Sequence, residues 1–355
     1  MRITHVLFGF PNAGQENLVA DIVNIQAKIH QVSVIILNDL IDYDLLGIID
    51  ERVSIYLIKR APGSFSPVAF FTFYFRLLRN CPGIFHFHEK GFTRLLPKWF
   101  ISRYGVLTIH NTRLFNRQIE NLSQVVAVSE AVFTDLVQGG YSRNRNNLSV
   151  VSNGIHVSRF ACKESFAPSD PFRLIQLGRI EFDQKGQDIL VEALQILKCN
   201  LNVKFRCDFV GEGSDIKRLK QMIDDLGLGE QVNMLGNKPK PWVHCNLQKY
   251  DVLILPSRFE GFGLVITEAM AARVPVLITD LEGPRNIVRD ERYGFFIKNL
   301  QPNELAEKIK HIYNEYSNGK IVPIIENAFS LVNEKFSIEG TVSEYEKIYL
   351  KTKGR

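Results

Sequence analysis

The sequence has few cysteines, and none of them forms a C-x-x-C pair. The five present are Cys81, Cys162, Cys199, Cys207 and Cys245, scattered along 355 residues. An odd number without close spacing argues against both a disulfide framework and a zinc site. We therefore expect reduced thiols and a cytoplasmic protein.

The sequence also lacks a long hydrophobic run. The N-terminal apolar stretch is interrupted by His5 and Gly9 and leads into a turn at Pro11, which predicts a buried strand instead of a signal peptide. The aromatic run 67–75 is far shorter than the roughly 20 residues that cross a bilayer. At most, we expect the protein to lie at the inner face of the cytoplasmic membrane.

The overall composition is that of a folded globular protein. Hydrophobic residues make up 45% of the chain and charged residues 23%, which argues against a disordered or fibrous class. Because domains usually contain roughly 100 to 200 residues, the length predicts two domains.

Positive charge is concentrated in one aromatic region, residues 67–117. The net charge is only +5, but the single acid in the basic part of this region is Glu89. The bases are Arg76, Arg79, Lys90, Arg94, Lys98, Arg103, Arg113 and Arg117. Two interpretations stay open: a surface that contacts an anionic membrane, or a buried aromatic helix with solvated charges around it.

Strand-like apolar runs alternate with amphipathic helical segments along the chain. This alternation predicts parallel sheets covered by helices, which is an α/β fold. Five predicted strands, from Ile3–Phe8 to Val125–Val128, form a first Rossmann-like unit. Six more, from Arg173–Leu177 to Gly294–Ile297, form a second.

A turn-rich stretch between residues 152 and 171 separates the two units. We place the domains at residues 1–155 and 156–335, and we expect a C-terminal helix within 336–355 to cross back onto the first domain. Ligands of open parallel sheets bind at the carboxyl ends of the strands. The chemistry is therefore expected on post-strand loops.

The strongest motif is a strand, a loop and a helix spanning residues 251–268. Gly261 and Gly263 allow the backbone to approach a ligand closely, and a helix begins near Leu264 with unpaired N–H groups. Such a helix end binds anions. The segment therefore predicts a phosphate site.

Two glutamates lie in the same segment. Glu260 is in the loop, and Glu268 is about one turn into the helix and inclined toward its N-terminus. Carboxylates repel phosphate, so sugar or ribose hydroxyls are their expected partners. The alternative for Glu268 is a surface salt bridge, but its neighbours Leu264 and Ala272 offer no partner on its own helix.

A second strand, loop and helix contains two cations. Gly178 and Arg179 follow a predicted strand, and Lys185 stands before the next helix. A lysine at the positive end of a helix dipole is unfavourable unless an anion is present. Two cations on one loop suggest a diphosphate, the alternative being two solvated loop charges. With the glutamates, they indicate a sugar nucleotide.

The remaining signals are weaker. Gly211 and Gly213 follow a strand, but Ile216 replaces the third glycine of a dinucleotide fingerprint, so NAD binding is not predicted. His110 ends a predicted strand, where it either donates a hydrogen bond to a sugar or phosphate or is a buried structural histidine.

No metal site is predicted. His86 and His88 alternate onto one strand face with no clear third ligand, which favours a structural role. Asp42 and Asp44 have the D-x-D spacing of some metal-binding transferases, but we interpret them as an exposed loop.

As an ordered set, these motifs resemble the retaining glycosyltransferases of family 4, which have the GT-B fold. The family's E-x7-E element matches Glu260 to Glu268. Further matches are Gly178-Arg179, Lys185-Gly186, Asn153-Gly154-Ile155, Gly211-Glu212-Gly213, Val128-Ser129 and Gly283-Pro284. The resemblance covers the second half almost entirely and the first half loosely. It implies two Rossmann-like domains with parallel sheets facing a central cleft.

The resemblance also implies a role for each matched residue. Arg179 and Lys185 would neutralise the leaving diphosphate, and Phe262 to Leu264 would bind it through backbone N–H groups. Glu260 would hold the transferred sugar and Glu268 the ribose. The catalytic set is then Arg179, Lys185, Glu260 and His110, and the donor-binding set is Gly14, Gly178, Gly211, Gly213, Lys238, Gly261, Phe262, Gly263, Leu264 and Glu268.

Two positions depart from the family pattern. Gly14 is a single match in a loop that usually contains paired glycines, so its contact with donor or acceptor stays open. Arg273 stands where a glycine is usual, and we interpret it as a helix-end substitution.

The activity implied is retaining transfer of a hexose, without a metal or other cofactor, from a nucleotide-diphosphate sugar. We favour a UDP-sugar over a GDP-sugar, although Asn237 and Pro239 beside Lys238 do not discriminate between the two bases. The first domain would bind a glycan or lipid-linked acceptor, in the synthesis of bacterial surface polysaccharide or lipopolysaccharide. Nucleic acid is not an expected partner. Two alternatives remain: a sugar-nucleotide epimerase or hydrolase of the same fold, and a non-catalytic sugar-nucleotide-binding module.

Overall fold

The computed structural model describes residues 1–112, 114–141, 145–200 and 203–353. The chain divides into two compact units. Unit 1 comprises Met1–Gly154 and Ile338–Arg355, and unit 2 comprises Ile155–Ser337. Each unit is a parallel sheet with helices between its strands, so the predicted α/β class with two Rossmann-like domains is confirmed.

The strands of unit 1 form one parallel sheet. They are β1 (Arg2–Leu7), β2 (Gln31–Asn38), β3 (Ser54–Arg60), β4 (Ile84–Phe87), β5 (Gly105–Ile109), β6 (Gln124–Ala127) and β7 (Leu148–Val150). Their order is β3-β2-β1-β4-β5-β6-β7. The order reverses at β1, which pairs with both β2 and β4. The carboxyl ends of β1 and β4 therefore lie at a switch point, where such sheets bind ligands.

The helices of unit 1 that precede β7 connect these strands. They are α1 (Gly14–Gln26), α2 (Tyr43–Gly47), α3 (Pro67–Arg79), α4 (Phe92–Leu95), α5 (Lys98–Tyr104) and α6 (Glu130–Gln138). Asp42 caps α2, because its Oδ1 accepts a hydrogen bond from the Leu45 amide at 2.8 Å. One aspartate of the D-x-D triplet thus has a local structural function.

Unit 2 contains a second parallel sheet. Its strands are β8 (Phe172–Leu177), β9 (Phe205–Val210), β10 (Val232–Gly236), β11 (Val252–Leu255), β12 (Val276–Thr279) and β13 (Phe295–Ile297). The order is β10-β9-β8-β11-β12-β13. Here the order reverses at β8, which pairs with β9 and β11. The loops after β8 and β11 are those on which the sequence places its strongest motifs.

A helix follows each of the strands β8 to β13 of unit 2. The helices of this unit are α7 (Phe182–Lys185), α8 (Gln187–Asn200), α9 (Ile216–Asp225), α10 (Lys240–Asn246), α11 (Leu264–Ala271), α12 (Glu282–Val288), α13 (Pro302–Ser317) and α14 (Ile321–Lys335). α8 and α13 pack on the sheet with apolar side chains such as Leu194 and Ile309, which are fully buried. Burial of these faces stabilises the unit.

The last helix, α15 (Ile338–Lys353), is part of unit 1. Two buried tyrosines attach it to the sheet. The Tyr349 hydroxyl is 2.7 Å from His86 Nδ1, and the Tyr345 hydroxyl is 3.0 Å from Thr108 Oγ1. The C-terminal helix of the chain is thus held by hydrogen bonds within the core of unit 1.

Asp251 fixes the start of β11. Its carboxylate is fully buried and accepts hydrogen bonds from Lys163 Nζ at 2.6 Å and from the Arg173 amide at 2.8 Å. A buried charge requires such partners. The first residue of the motif 251–268 is therefore structural and joins β11 to the segment that precedes β8.

Arg273 adopts the left-handed backbone region, with φ +57°. This conformation favours glycine, which explains why a glycine is usual here. The arginine side chain lies 4.5 Å from the centre of the Phe329 ring and 3.5 Å from the Glu326 carboxylate. These contacts offset part of the backbone strain.

In the part of the chain that the structure describes, no helix is long and apolar enough to cross a membrane.

Candidate functional site

The loops that follow the carboxyl ends of the strands in unit 2 pack against one another at glycines. A Cβ atom added at any of four glycines would lie within 2.2 Å of a backbone carbonyl oxygen. The pairs are Gly211 with Gly178, Gly213 with Ile180, Gly186 with Pro256, and Gly283 with Glu260. These glycines hold the loops after β8, β9, β11 and β12 together as one surface, which we call the rim.

Lys185 and Glu260, predicted on separate loops, form an ion pair on the rim. The Lys185 Nζ atom is 2.5 Å from Glu260 Oε2, and the two side chains are only 14% and 9% exposed. Gln176 supports the pair, because its amide donates to the Lys185 carbonyl at 2.9 Å. The cation expected for a diphosphate therefore contacts the carboxylate expected for a sugar.

Glu268 also has a cationic partner, Lys240 of α10. The glutamate side chain is 3% exposed, so its charge requires this partner. The partner is on α10, not on α11 itself, and the neighbours Leu264 and Ala272 offer Glu268 no charged contact. Helical periodicity gives no signal for a contact between α10 and α11.

Arg179 is the exposed cation of the rim. Its side chain is 59% exposed, and its guanidinium donates to Glu181 at 3.0 Å and Gln184 at 3.1 Å. The backbone is fixed by Gln187, whose amide donates to the Arg179 carbonyl at 2.8 Å. An exposed ion pair of this kind is weak and opens readily for an incoming anion.

The segment Gly261 to Leu264 leads directly into α11. Gly263 has φ +92°, a conformation that favours glycine, and as the residue before the helix it has no side chain to cap the first N–H groups. Phe262 is buried, with its ring 5.9 Å from that of Phe336. A packed loop thus leads into an uncapped helix start, as an anion site requires.

Lys238 and Arg258 lie on the loops after β10 and β11. Lys238 lies 5.9 Å from the centre of the Trp242 ring. Arg258 was not predicted from the sequence. Both terminal nitrogens of its guanidinium donate hydrogen bonds to the Asp188 carboxylate, at 2.8 and 2.7 Å. Its amide also donates to the Gln184 carbonyl at 2.8 Å. Arg258 therefore joins the loop after β11 to the loop after β8.

His110 follows β5 in unit 1. Burial lowers the pKa of this imidazole to about 4, so the ring is neutral at pH 7. Its Nε2 atom is buried without a hydrogen-bond partner in the described structure. A neutral ring can donate one hydrogen bond to a ligand, but it cannot supply a positive charge.

His5 joins His86 and His88 in the core of unit 1, and ring nitrogens from the three lie within 4.8 Å of one another. The sequence did not identify this third histidine. His5 is already bonded to His88 at 3.0 Å and to Gln26 at 2.8 Å, while His86 bonds to Tyr349 and Thr108, each at 2.7 Å. A metal would have to break these bonds, so the cluster fits a hydrogen-bonded core better than a metal site.

Gly14 is the first residue of α1, and the side chain of the next residue, Gln15, contacts Glu89. Gln15 and the Phe8 amide each donate to the Glu89 carboxylate at 3.4 Å. Burial and the nearby Glu16 raise the pKa of Glu89 to about 8. Sequence reasoning noted this residue only as an isolated acid, because its burial depends on the fold.

Two parallel sheets with this strand order, one of them bearing a glycine-packed rim, define the GT-B class of fold. The solved structures agree. A glycosyltransferase from Rickettsia africae ESF-5 has a TM-score of 0.79 at 20% identity, covering 99% of this chain and 98% of that chain. Anabaena Alr3699/HepE in complex with UDP has a TM-score of 0.78 at 21% identity, covering 98% and 99%. At such identities the likeness shows the fold alone.

The sequence of unit 2 matches a known family of enzymes. Residues 158–328 match the family described as glycosyl transferases group 1. The putative colanic acid biosynthesis glycosyltransferase WcaL of Escherichia coli (strain K12) is 28% identical over 199 residues, which are 54% of this chain and 48% of WcaL. The alignment thus spans about half of that relative. The resemblance to group 1 glycosyltransferases is confirmed.

Proposed function

We propose that this protein is a glycosyltransferase that moves a sugar from a nucleotide-diphosphate sugar to a glycan or lipid-linked acceptor. The main supporting observation is the contact between Lys185 and Glu260 on the rim of unit 2. This contact supports the proposal because it joins a cation, which could bind phosphate, to a carboxylate, which could bind hydroxyls, at the sheet edge where ligands of such folds bind. The family match of residues 158–328 supports the same conclusion.

The donor contacts follow from charge. Arg179, Lys185 and the uncapped start of α11 would surround the diphosphate and stabilise the negative charge that develops on it as the sugar leaves. Glu260 would accept hydrogen bonds from hydroxyls of the transferred sugar. Glu268 would accept them from the ribose, while Lys240 balances its charge.

Without a donor, the ion pair between Lys185 and Glu260 keeps both partly buried charges neutralised. When a donor binds, its phosphate would take the lysine and its sugar hydroxyls would take the glutamate. The lysine would exchange one anionic partner for another, and the glutamate would keep hydrogen bonds from hydroxyls, so neither buried group would lose all its polar partners. The pair therefore prepares the site for a ligand that offers both groups together.

The remaining assignments extend this proposal. Unit 2 would bind the donor, with Lys238 near the base, and unit 1 would bind the acceptor. His110 would donate a hydrogen bond to the sugar or the donor phosphate from its neutral ring, and Gly14 would lie close to donor or acceptor. We propose UDP as the carrier, retention of the anomeric configuration and no metal requirement.

The relatives suggest a biological setting. WcaL is named for colanic acid biosynthesis, and the HepE structure contains UDP. By analogy, we propose a role in bacterial surface polysaccharide or lipopolysaccharide synthesis, with peripheral contact between region 67–117 and an anionic membrane.

The proposal is tested by transfer from radiolabelled UDP-sugars to bacterial glycan or glycolipid extracts. Lys185→Ala and Glu260→Ala should abolish transfer without loss of the folded structure, whereas Lys220→Ala, an exposed lysine on α9, should not change it. NMR of the product reports the anomeric configuration, and turnover should persist in EDTA. Wild-type rates in either site variant would contradict the assignment.

The same assay separates the alternatives. Release of free sugar or its epimer at an unchanged rate without acceptor would indicate a hydrolase or epimerase of this fold. Binding of UDP-sugar without turnover under any condition would indicate a non-catalytic module.

A further inference from the structure

Helix α3 is apolar on two opposite faces. One face packs into unit 1 through Ala69, Phe73 and Leu77, which are all buried. The other face is exposed and consists of Val68 (75% exposed), Phe71 (74%), Phe75 (46%) and Leu78 (62%). A helix turns about 100° per residue, so the two sets lie about half a turn apart. The interpretation of α3 as a buried aromatic helix is correct for one face only.

The exposed apolar surface extends beyond α3. Phe65, in the loop before the helix, is 91% exposed, and Trp99 on α5 is 63% exposed. The Tyr74 hydroxyl donates to the Leu95 carbonyl and so connects α3 with the segment that leads into α5. We call the exposed side chains of residues 65–78 and 94–103 the α3–α5 surface.

All the charged side chains of the α3–α5 surface are basic. Arg94 on α4 is exposed, and so are Lys98 and Arg103 on α5, the helix that contains Trp99. Arg79 lies beside the apolar face, 5.8 Å from the centre of the Phe75 ring. Between residues 61 and 112 the single acid is Glu89, which is enclosed by the Phe8 amide and Gln15. Arg113, part of the same basic region, lies outside the described residues.

We propose that the α3–α5 surface docks on an anionic membrane. Phe71, Phe75 and Trp99 would enter the boundary between headgroups and acyl chains, while Lys98 and Arg103 contact the lipid phosphates. A helix face of large apolar side chains with bases at its edge has the composition of an interfacial membrane helix. The membrane contact itself is inferred from the surface alone. Only its purpose, access to a lipid-linked acceptor, rests on the proposed function.

Charge favours a membrane over a second copy of this chain. Two copies meeting through the α3–α5 surface would bring its bases together without acids to balance them, and like charges across an interface oppose association. An anionic bilayer instead complements the bases and accepts the apolar side chains together.

The test is flotation of the intact 355-residue chain with vesicles at low salt, without any donor. Vesicles of phosphatidylcholine and phosphatidylglycerol should bind the protein, and vesicles of phosphatidylcholine alone should bind it much less. Each of Arg94→Gln, Lys98→Gln and Arg103→Gln should weaken binding about fivefold at low ionic strength. Binding should also decrease as salt is added.

The apolar contribution is tested by the double variant Phe71→Ser and Phe75→Ser, which should weaken binding at least as strongly. Matched controls are Ile29→Ser and Leu350→Ser, which alter side chains 64% and 61% exposed elsewhere in unit 1. These controls should bind like the wild type. Because exposed side chains are changed, all variants should keep the wild-type melting temperature and the same thermal shift with UDP.

Absence of binding to phosphatidylglycerol vesicles at low salt would overturn the inference, and so would equal losses in the controls. Concentration-dependent self-association that the Phe71 and Phe75 changes remove, without vesicle binding, would identify the surface as a protein interface instead. The vesicle assay uses neither donor nor acceptor. Its failure is therefore distinct from failure of the proposed transfer activity.

Discussion

The ion pair between Lys185 and Glu260 leads to a prediction in which two substitutions at one contact have opposite effects. Lys185→Met removes the cation proposed to bind the donor diphosphate, so UDP should bind more weakly. Glu260→Gln removes the charged competitor for that cation, so UDP should bind more tightly. The same Glu260 change should nevertheless reduce sugar transfer, because the carboxylate proposed to hold the sugar is lost.

The magnitude follows from the geometry. The pair has a separation of 2.5 Å and side chains 14% and 9% exposed, so its hydrogen bond is charge-assisted and largely shielded from water. A hydrogen bond to a charged group contributes about 1.5 to 3 kcal/mol, so Lys185→Met should weaken UDP binding roughly tenfold to a hundredfold. The gain from Glu260→Gln should be smaller, since the glutamine still accepts a hydrogen bond from the lysine.

Isothermal titration calorimetry with UDP measures both effects. Lys220→Met is the matched control, because this lysine is exposed on α9 and should not alter the affinity. Thermal melting without ligand tests whether each variant is folded. Wild-type affinity for UDP in a folded Lys185→Met variant would refute the reasoning, and weaker UDP binding in Glu260→Gln would show that the glutamate does not compete for the lysine.

Three further predictions concern stability. Gly211→Ala should destabilise unit 2 by more than about 2 kcal/mol, because φ is +143° and the new Cβ would lie 2.0 Å from a carbonyl oxygen. Urea unfolding measures this loss. The control Gly229→Ala should leave the stability unchanged, because there is open space around Gly229. Lys240→Met should cost about 3 kcal/mol by leaving the buried Glu268 charge unpaired, and adding Glu268→Gln should restore most of the loss in the same assay; no rescue would contradict the pairing. Burial lowers the pKa of His5 to about 4, below its unfolded value of about 6.5, so its contribution to stability is complete above pH 6.5 and is lost as the pH falls toward 4. The free energy of unfolding of unit 1 should therefore decrease by about 2 kcal/mol between pH 7 and pH 5 because of this group. His5→Gln should remove that part of the pH dependence.

Periodic patterns predicted most of the fold. Buried strands such as β1 and β11 are continuous apolar runs between turns, so their positions could be found within a residue or two. β3 was missed because it is partly exposed along its length and includes two bases, and β7 because it has only three residues. Local sequence contains little signal for strands of either kind.

The residues that form the rim could be predicted, but their pairings could not. Glycine positions and charge types indicated a site for phosphate and hydroxyls, because these requirements act locally. The contacts of Lys185 with Glu260 and of Lys240 with Glu268 join residues 75 and 28 positions apart. Such contacts depend on how loops pack at the sheet edge, which one sequence does not specify.

Burial explains the other omissions. Glu89 looked like an ordinary acid, yet the fold encloses it and raises its pKa to about 8. In the sequence, His5 only interrupts an apolar stretch, but in the fold it lies in a cluster with His86 and His88. A pKa shift by desolvation arises only when distant segments cover a side chain.

The central claim is that unit 2 binds a nucleotide-diphosphate sugar at its rim. A thermal-shift titration with nucleotide sugars tests it most directly. A true donor at a hundred times its dissociation constant should stabilise the protein by about 2.7 kcal/mol, and this shift should fall sharply in Lys185→Met. If no nucleotide sugar stabilises the wild type, or if the shift is unchanged in Lys185→Met, the claim is contradicted.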